Sequence, residues 1–219
     1  MTKDTHLIFV NEWQLESPPA RERPQQVDLV ELPPPEIRHG LPLMQALQDR
    51  QSSREFSPEA LSQQMLSNLL WAAFGVNRPE SGGRTAPSAE NWHEIDLYVA
   101  TAAGLFVYDA QRHVLRHMLR QDIRGETGLQ TFAATAPLDI VYVADFARTR
   151  GAAEEERRVY SVANTGFIAQ NVYLFCASEG LSTTVRGAID RPALARTMNL
   201  TADQSIILAQ TVGYPARTH

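Results

Sequence analysis

A long stretch without proline, from Ala152 to Ser178, constrains the fold of this chain more than any other feature. Small and apolar residues recur along it at the spacing of one helix face: Val159, Val162, Ala163, Gly166, Ala169, Val172, Tyr173 and Cys176. Glu154 and Arg158 form a favourable i,i+4 pair near its start, and Gly180 provides a stop. The pattern predicts a helix about 40 Å long, enough to span a domain or a dimer interface.

Shorter patterns on both sides of this stretch predict a mixture of helices and strands. Ser57-Pro58 is typical of a helix start, and Gly75 marks where that helix would end. Alternating or β-branched runs predict strands at residues 94–100, 105–108, 114–118, 138–144, 181–185 and 205–212. A short helix is predicted from Asp190. Such alternation favours a fold in which helices pack on a sheet.

The composition excludes several classes of protein. With 219 residues, 43% hydrophobic and 21% charged, the chain suffices for one domain and is not disordered, collagen-like or coiled-coil. The single cysteine, Cys176, excludes a disulfide-framed secreted module, and a net charge of −5 argues against a dedicated nucleic-acid binder. No run reaches the ~20 apolar residues of a membrane helix. We expect a cytoplasmic protein, or a periplasmic one if a leader has been removed.

Residues 1–40 differ in composition from the rest of the chain. They hold six of the 13 prolines, which favour extended backbone over long helices. One interpretation is a disordered leader. The other is an arm that lies along a partner subunit, with Trp13 and Leu15 as anchors. Both interpretations place the domain boundary at residue 40, with one folded domain over residues 41–219.

Several common catalytic motifs are absent. There is no Gly-x-Gly-x-x-Gly after a strand, no phosphate loop ending in Gly-Lys-Ser/Thr, and no Gly-x-Ser-x-Gly elbow. His113 and His117 lie four apart but lack the glutamate of a zinc protease, so we expect surface histidines and no metal site. Cys176 lies on the apolar stripe of the long helix, which favours a buried thiol over a nucleophile.

The segment from Arg50 to Phe56 is the first candidate binding motif. Arg50 and Arg54, with Ser52 between them, can converge on one phosphate, because guanidinium groups offer planar pairs of donors and the hydroxyl adds another. Alternatively, these residues form a solvated helix end whose cations complement the helix dipole.

Two further segments favour the binding interpretation. The loop from Arg84 to Trp92 contains small residues, which allow backbone to approach a flat ligand, and an amide side chain at Asn91. The segment from Gly180 to Gly187 leads from a strand into a turn, where successive backbone amides can point at an acceptor.

Taken together, these segments resemble the FMN-dependent nitroreductase family, in the branch that includes azoline-oxidising (SagB-like) dehydrogenases. The resemblance covers roughly residues 41–217 and depends on the order of five segments. They are Arg50-x-Ser52-x-Arg54, the Pro87–Asn91 loop, Gly128-Leu129-Gln130 before Ala136-Pro137, the long helix, and Val212-Gly213-Tyr214-Pro215.

The resemblance implies a flavin site built by two subunits. One subunit would hold the FMN phosphate and ribityl chain with Arg50, Gln51, Ser52 and Arg54, with Arg54 alternatively reaching the N1/O2 edge of the ring. The other subunit would contribute Pro87, Ser88, Ala89 and Asn91. Gln130 would face the pyrimidine end, the amides of Arg186 and Gly187 would lie near N5 and O4, and Arg217 would be a last phosphate ligand.

This sequence departs from the family pattern in two places. Family members often have a glutamate where Arg186 stands, so we expect an altered charge near the substrate face. The tail after the Gly-Tyr-Pro turn, Ala216–His219, is shorter than the basic tail of many members. Because the flavin itself carries the electrons, the protein residues expected to tune it are Arg54, Arg186 and Gly187.

The resemblance also implies a fold and an activity. We expect an α+β fold with a central mixed, mostly antiparallel sheet of about five strands, helices on both faces, and an intertwined homodimer. The expected activity is NAD(P)H-driven reduction of nitroaromatic, quinone or similar conjugated acceptors by a ping-pong mechanism. Two alternatives are a flavin-dependent dehydrogenase that oxidises a small heterocycle or peptide, and a flavin-binding protein without turnover.

Overall fold

The computed structural model describes residues 28–149 and 151–216, and a seven-stranded sheet forms its centre. Its strands are β1 (Leu29–Glu31), β4 (Ile95–Thr101), β5 (Gly104–Asp109), β6 (Val114–Leu119), β7 (Leu138–Asp145), β8 (Ser182–Arg186) and β9 (Gln204–Gly213). A separate hairpin consists of β2 (Val76–Arg78) and β3 (Gly83–Arg84). The helices are α1 (Leu43–Asp49), α2 (Gln63–Phe74), α3 (Glu154–Glu179) and α4 (Arg191–Thr197).

The sheet has the strand order β1-β6-β5-β4-β7-β9-β8, and each neighbouring pair is antiparallel. β7 lies inside the sheet, between β4 and β9, and is buried along all but its last residue, as its β-branched sequence predicts. The α+β class with a mostly antiparallel sheet is therefore confirmed, with seven strands where about five were expected. β1 is the strand that periodicity missed, because it has only three residues and lies beside prolines.

Helices cover both faces of the sheet, as predicted. On one face, α2 and α3 pack against a core that includes Leu97, Val99 and Tyr142. On the opposite face, α4 packs against alternate residues of the same strands, such as Tyr98 and Val143.

The long helix is confirmed as α3. Glu154, Glu155 and Glu156 occupy its first turn, where negative charge is favourable beside the helix N-terminus. Gly180 ends it in the left-handed conformation, with φ of 69°, which glycine adopts without steric cost.

The start of α2 differs from the prediction. The helix begins at Gln63, not at Ser57-Pro58, and Ser62 is its N-cap, with Oγ accepting a hydrogen bond from the Met65 amide at 3.1 Å. Ser57 instead donates its amide to the Tyr214 carbonyl at 2.9 Å. The chain around Ser57 is therefore tied to the end of β9 before the helix starts.

Residues 28–40, which the sequence assigned to the arm, pack onto the domain. β1 pairs with β6, and the Glu36 amide donates to Asn68 Oδ1 on α2 at 2.8 Å. Residues 1–27, with the proposed anchors Trp13 and Leu15, lie outside the described residues. The arm and its boundary stay a prediction.

No helix within the described residues is long and apolar enough to cross a membrane.

Candidate functional site

The segment from Arg50 to Arg54 runs alongside β8. It follows α1 directly, since the Arg50 amide donates to Ala46 O and caps that helix. Ser53 then donates its amide to Thr183 O at 2.9 Å, which attaches the segment to β8. Gln51, Ser52 and Arg54 are exposed. A cavity of about 310 Å³ lies beside this segment, between Gln51 and β8.

Tyr173 of α3 supports this segment from beneath. Its hydroxyl lies 2.9 Å from Ser52 Oγ and accepts the Val185 amide at 2.9 Å. The guanidinium of Arg50 lies 5.5 Å from the centre of its ring, a favourable cation–π distance. The spacing of the apolar residues puts Tyr173 on the apolar stripe of α3 and does not predict this role. Its hydroxyl, on an otherwise apolar face, was the available signal.

The charges of Arg50 and Arg54 are not neutralised by protein carboxylates. Within the described part of the chain, neither guanidinium has a carboxylate oxygen within ion-pair distance. Arg50 is half-buried and Arg54 is exposed, and with the Ser52 hydroxyl between them they form a local positive site that suits an anion such as a phosphate.

The turn after β8 meets the loop from Gly128 to Gln130. The Leu129 amide donates to Ala188 O at 3.0 Å, which joins the two segments. Gly187 is exposed at this point. The side-chain oxygen of Gln130 is buried and has no hydrogen-bond partner among the described residues. An unpaired buried acceptor is costly, so this atom is ready to accept a hydrogen bond from a ligand.

The side chain of Arg186 corrects one expectation. It does not alter the charge of an exposed face, because it turns inward and is only 2% exposed. Its Nη2 lies 2.6 Å from Oδ1 of Asp139 on β7, which is fully buried. A sequence pattern could not reveal this pairing, since the two residues are 47 positions apart and on different strands.

Burial governs the ionisation of Asp139. Desolvation raises its pKa to about 6, while Arg186 and the hydroxyls of Thr211 and Thr127 oppose the shift by favouring the charged form. Thr211 Oγ1 donates to Asp139 Oδ1 at 2.5 Å and Thr127 Oγ1 lies 3.0 Å from Oδ2. The carboxylate therefore has three partners in a dry environment.

The loop from Pro87 to Asn91 forms a second part of the predicted site. It contains a 3-10 turn, Ala89–Asn91, with Glu90 and Asn91 at φ of 50° and 54°. Asn164 of α3 holds this loop, since its Oδ1 accepts the Ala89 amide at 3.1 Å. Its Nδ2 donates to the fully buried Glu94 carboxylate at 2.9 Å. Pro87 and Asn91 are exposed, and Ser88 and Ala89 are half-buried.

A single chain does not bring the two parts together. Tyr173, under the Arg50–Arg54 segment, and Asn164, under the Pro87–Asn91 loop, lie nine residues apart on α3. Nine residues correspond to about 14 Å along the helix and two and a half turns, so the two side chains leave α3 on opposite faces.

Other residues that the sequence analysis singled out take structural places. Cys176 is fully buried, and burial raises the pKa of its thiol well above the ordinary range. His113 is half-buried and hydrogen-bonded to Ser67 and Tyr108, so it is not a free surface histidine. The described residues contain no group of three side chains that could hold a metal ion. Arg217 lies outside the described residues.

Comparison with known sequences identifies the family of this chain. The family model "Nitroreductase family" matches residues 47–214. A "putative nitroreductase" of Methanocaldococcus jannaschii is 32% identical over 171 residues, which are 74% of this chain and 85% of that protein.

Solved structures show the same fold. The crystal structure of a "putative nitroreductase" from Ralstonia eutropha is 46% identical, with a TM-score of 0.83 over 87% of this chain and 90% of the other. The NADPH:FMN oxidoreductase of Vibrio harveyi, solved with NAD⁺, is 15% identical, with a TM-score of 0.61 over 80% and 69% of the two chains.

Proposed function

The chain belongs to the nitroreductase family, and from this premise we propose that it is a homodimeric FMN-dependent oxidoreductase driven by NAD(P)H. Membership of this family supports a flavin-dependent oxidoreductase in general terms. We extend this to FMN as the flavin, NAD(P)H as the electron donor and a conjugated molecule as the acceptor.

The observation that carries the proposal is the arrangement of two segments along β8. The Arg50–Arg54 segment is bonded to Thr183 near the start of the strand, and the Arg186–Ala188 turn follows its end. The four residue-to-residue steps from Thr183 to Gly187 span about 13 Å, a distance that a molecule of the size of FMN can cover. The positive segment thus lies at one end and the exposed backbone of Gly187 at the other.

The residues present fit FMN. Arg50, Arg54 and Ser52 would hold the phosphate, with Gln51 beside the ribityl chain, and Gln130 offers an unpaired acceptor to an N–H of the pyrimidine end. The amides of Arg186 and Gly187 would lie at the N5 and O4 edge, where they donate hydrogen bonds and orient the ring. FMN, when bound, supplies the transfer of two electrons between donor and acceptor.

The loop from Pro87 to Asn91 would belong to the site of the other subunit. Within one chain it lies on the opposite face of α3 from Tyr173, so a partner subunit is needed to bring both parts to one ligand. Exposed apolar side chains on α3 support such a partner: Val159, Val162 and Phe167 are 58%, 55% and 47% exposed. The four residues Pro87, Ser88, Ala89 and Asn91 would close the site.

The proposed cycle has two halves at the same face of the flavin. NAD(P)H would bind first and leave as NAD(P)⁺, and a nitroaromatic, a quinone or a similar conjugated acceptor would then take its place. The protein would contribute binding, orientation and charge, so this chemistry requires neither paired carboxylates nor a nucleophilic side chain.

An anaerobic titration tests this proposal. The purified protein should be yellow, with absorbance near ~450 nm that bleaches on addition of NADPH or NADH and returns with a quinone, because the flavin carries the chemistry. Bleaching by a heterocyclic or peptide substrate but by neither nicotinamide would favour the dehydrogenase alternative. A colourless protein that FMN cannot reconstitute would contradict the proposal.

A further inference from the structure

The guanidinium of Arg186 joins four segments of the chain at one buried point. Nη2 pairs with Asp139 on β7, and Nε donates to Thr211 Oγ1 on β9 at 2.9 Å. Nη1 donates to the Thr127 carbonyl at 2.9 Å, and Nη2 also lies 3.0 Å from Thr127 Oγ1. The residue thus connects β7, β8, β9 and the loop that begins at Thr127.

The same guanidinium lies against the backbone of Gly128. A Cβ at this position would overlap Arg186 Nη1 and lie 2.9 Å from the Gln130 side-chain oxygen. Only glycine allows this approach without a shift of the guanidinium. Leu129 and Gln130, the two residues that follow Gly128, are thereby held at a fixed distance from β8.

The turn after Arg186 is held to the same loop. Ala188 accepts the Leu129 amide, and the Gly187 carbonyl accepts a hydrogen bond from Arg191 Nη1 at 3.2 Å. The ring of Phe132 completes the contact, with its centre 5.9 Å from the Arg186 guanidinium. Gly187 and Gln130, both proposed to face the flavin, are therefore positioned by one buried cation.

We propose that the buried Arg186–Asp139 pair is a positioning device for the flavin, which fixes Gly187 and Gln130 relative to each other and sets the charge beneath the ring. Both side chains are buried, so they would act through the backbone and Gln130 and not by contact with the flavin. This inference rests on the proposed FMN site and adds two positioning residues, of which Asp139 was absent from the residues predicted by sequence.

The charges of Arg186 and Asp139 determine in which direction a substitution shifts the relative affinity for reduced and oxidised flavin. With both groups ionised, the pair is nearly neutral as seen from the flavin. An Asp139→Asn substitution keeps the shape and leaves Arg186 as an uncompensated buried cation, which favours the anionic reduced flavin over the neutral oxidised one. Replacing both residues with apolar ones of similar size removes the hydrogen bonds of the Arg186 guanidinium and leaves no buried charge.

The experiment compares four proteins: wild type, Asp139→Asn, the double variant Arg186→Met/Asp139→Leu, and Met198→Ala as a control. Met198, the C-cap of α4, is buried in the apolar core on the same face of the sheet as the pair and makes none of the hydrogen bonds of Arg186 or Asp139, so its truncation lowers stability and leaves the pair intact. For each protein we would measure the melting temperature without FMN, the Kd for oxidised FMN, and the midpoint potential of the bound flavin.

For Asp139→Asn we expect reduced FMN to gain about tenfold in affinity relative to oxidised FMN, equivalent to a midpoint potential about 30 mV higher for a two-electron couple. For the double variant we expect a Kd for oxidised FMN raised at least about tenfold, with the affinity ratio of the two redox states close to wild type. The control, Met198→Ala, should have a lower melting temperature, with the Kd for FMN and the midpoint potential of wild type.

A folded double variant that binds oxidised FMN as tightly as wild type would overturn the positioning role. An Asp139→Asn protein with an unchanged potential would overturn the electrostatic role. If Asp139→Asn does not fold, the double variant still decides the positioning role, and it carries no buried charge. Failure of wild type itself to bind FMN would overturn the proposed function, which separates that failure from the failure of this inference.

Discussion

At the scale of single residues, the hydroxyl of Tyr173 is the contact that connects the positive segment to the rest of the protein. It bonds Ser52 Oγ and receives the Val185 amide, both at 2.9 Å. Removing it leaves the Val185 amide unpaired and frees Ser52, while the ring keeps its contact with Arg50.

We therefore expect Tyr173→Phe to lower the free energy of unfolding by about 1–3 kcal/mol, because a half-buried amide loses its partner. The Kd for FMN should rise about tenfold, since the segment that holds the phosphate is no longer fixed. Fluorescence titration with FMN and urea denaturation measure both. Tyr160→Phe on the same helix is the matched control, because its ring packs on Trp92 and it lies beside the other loop. Equal effects of the two substitutions would contradict this role of Tyr173.

Gly128 offers a second test at this scale. A Cβ there overlaps the Arg186 guanidinium, whereas a Cβ at Gly125, in the same loop, meets only Ala134 Cβ at 3.5 Å. We expect Gly128→Ala to lower the free energy of unfolding by about 1–3 kcal/mol through overpacking, and Gly125→Ala to change it little. Thermal denaturation of the two variants side by side checks the difference. Similar melting temperatures would show that Arg186 can move aside without cost.

At the scale of elements, the N-cap of α2 shows what local sequence does and does not determine. Ser57-Pro58 and Ser62 are both acceptable helix starts by residue type, and only the tie between Ser57 and Tyr214 decides between them. That tie joins residues far apart in the sequence, so periodicity could not reveal it. The helix itself and its end at Gly75 were predicted correctly.

The two candidate caps differ in their expected contribution to stability. Ser62→Ala should cost about 1 kcal/mol, because the Met65 amide loses its side-chain acceptor. Ser57→Ala should cost less, since the Ser57 amide keeps its bond to the Tyr214 carbonyl and the Glu59 amide, which donates to Ser57 Oγ at 3.2 Å, is exposed and can bond water instead. Denaturant unfolding of both variants tests the assignment, and a larger loss for Ser57→Ala would reverse it.

His113 attaches the segment after β1 to the rest of the sheet. Ser67 Oγ donates to Pro33 O at 2.5 Å, so it accepts from His113 Nε2, while Nδ1 accepts from the Tyr108 hydroxyl at 2.8 Å. Burial lowers the pKa of His113. Its neutral form therefore stabilises the fold above pH ~6.5, and this stabilisation is lost as the pH falls through the lowered pKa.

Between pH 7.5 and pH 5, we expect the melting temperature of wild type to fall more than that of His113→Asn. Hydrogen exchange of the β1 amides should likewise accelerate more in wild type. Asparagine is the suitable replacement because the position has φ of 54°, which asparagine tolerates. Parallel pH profiles for the two proteins would remove His113 as the source of the dependence.

At the scale of the whole molecule, the class of fold predicted from the sequence is confirmed, the segments of the candidate site stay a prediction, and the pairing of the side chains was missed. The long helix, six of the seven sheet strands and the binding segments follow from periodicity, turn residues and resemblance. The inward turn of Arg186 towards Asp139, and the supports at Tyr173 and Asn164, depend on contacts across strands and helices. Such contacts join residues far apart in the sequence and cannot be predicted from local patterns.

In the proposed dimer, the partner subunit would cover apolar side chains that are exposed in the single chain, including Phe167 on α3. If a second copy covers this face, Phe167→Glu places a charge in a dry interface and should convert the protein to a monomer. Because the Pro87–Asn91 loop would then be lost from the partner's site, we expect the Kd for FMN to rise by about a hundredfold or more. Light scattering after gel filtration and FMN titration measure the two effects. Met118→Glu on β6, also partly exposed at 38%, is the control and should remain dimeric and flavin-bound. A monomeric Phe167→Glu protein with wild-type affinity for FMN would show that one chain builds the whole site.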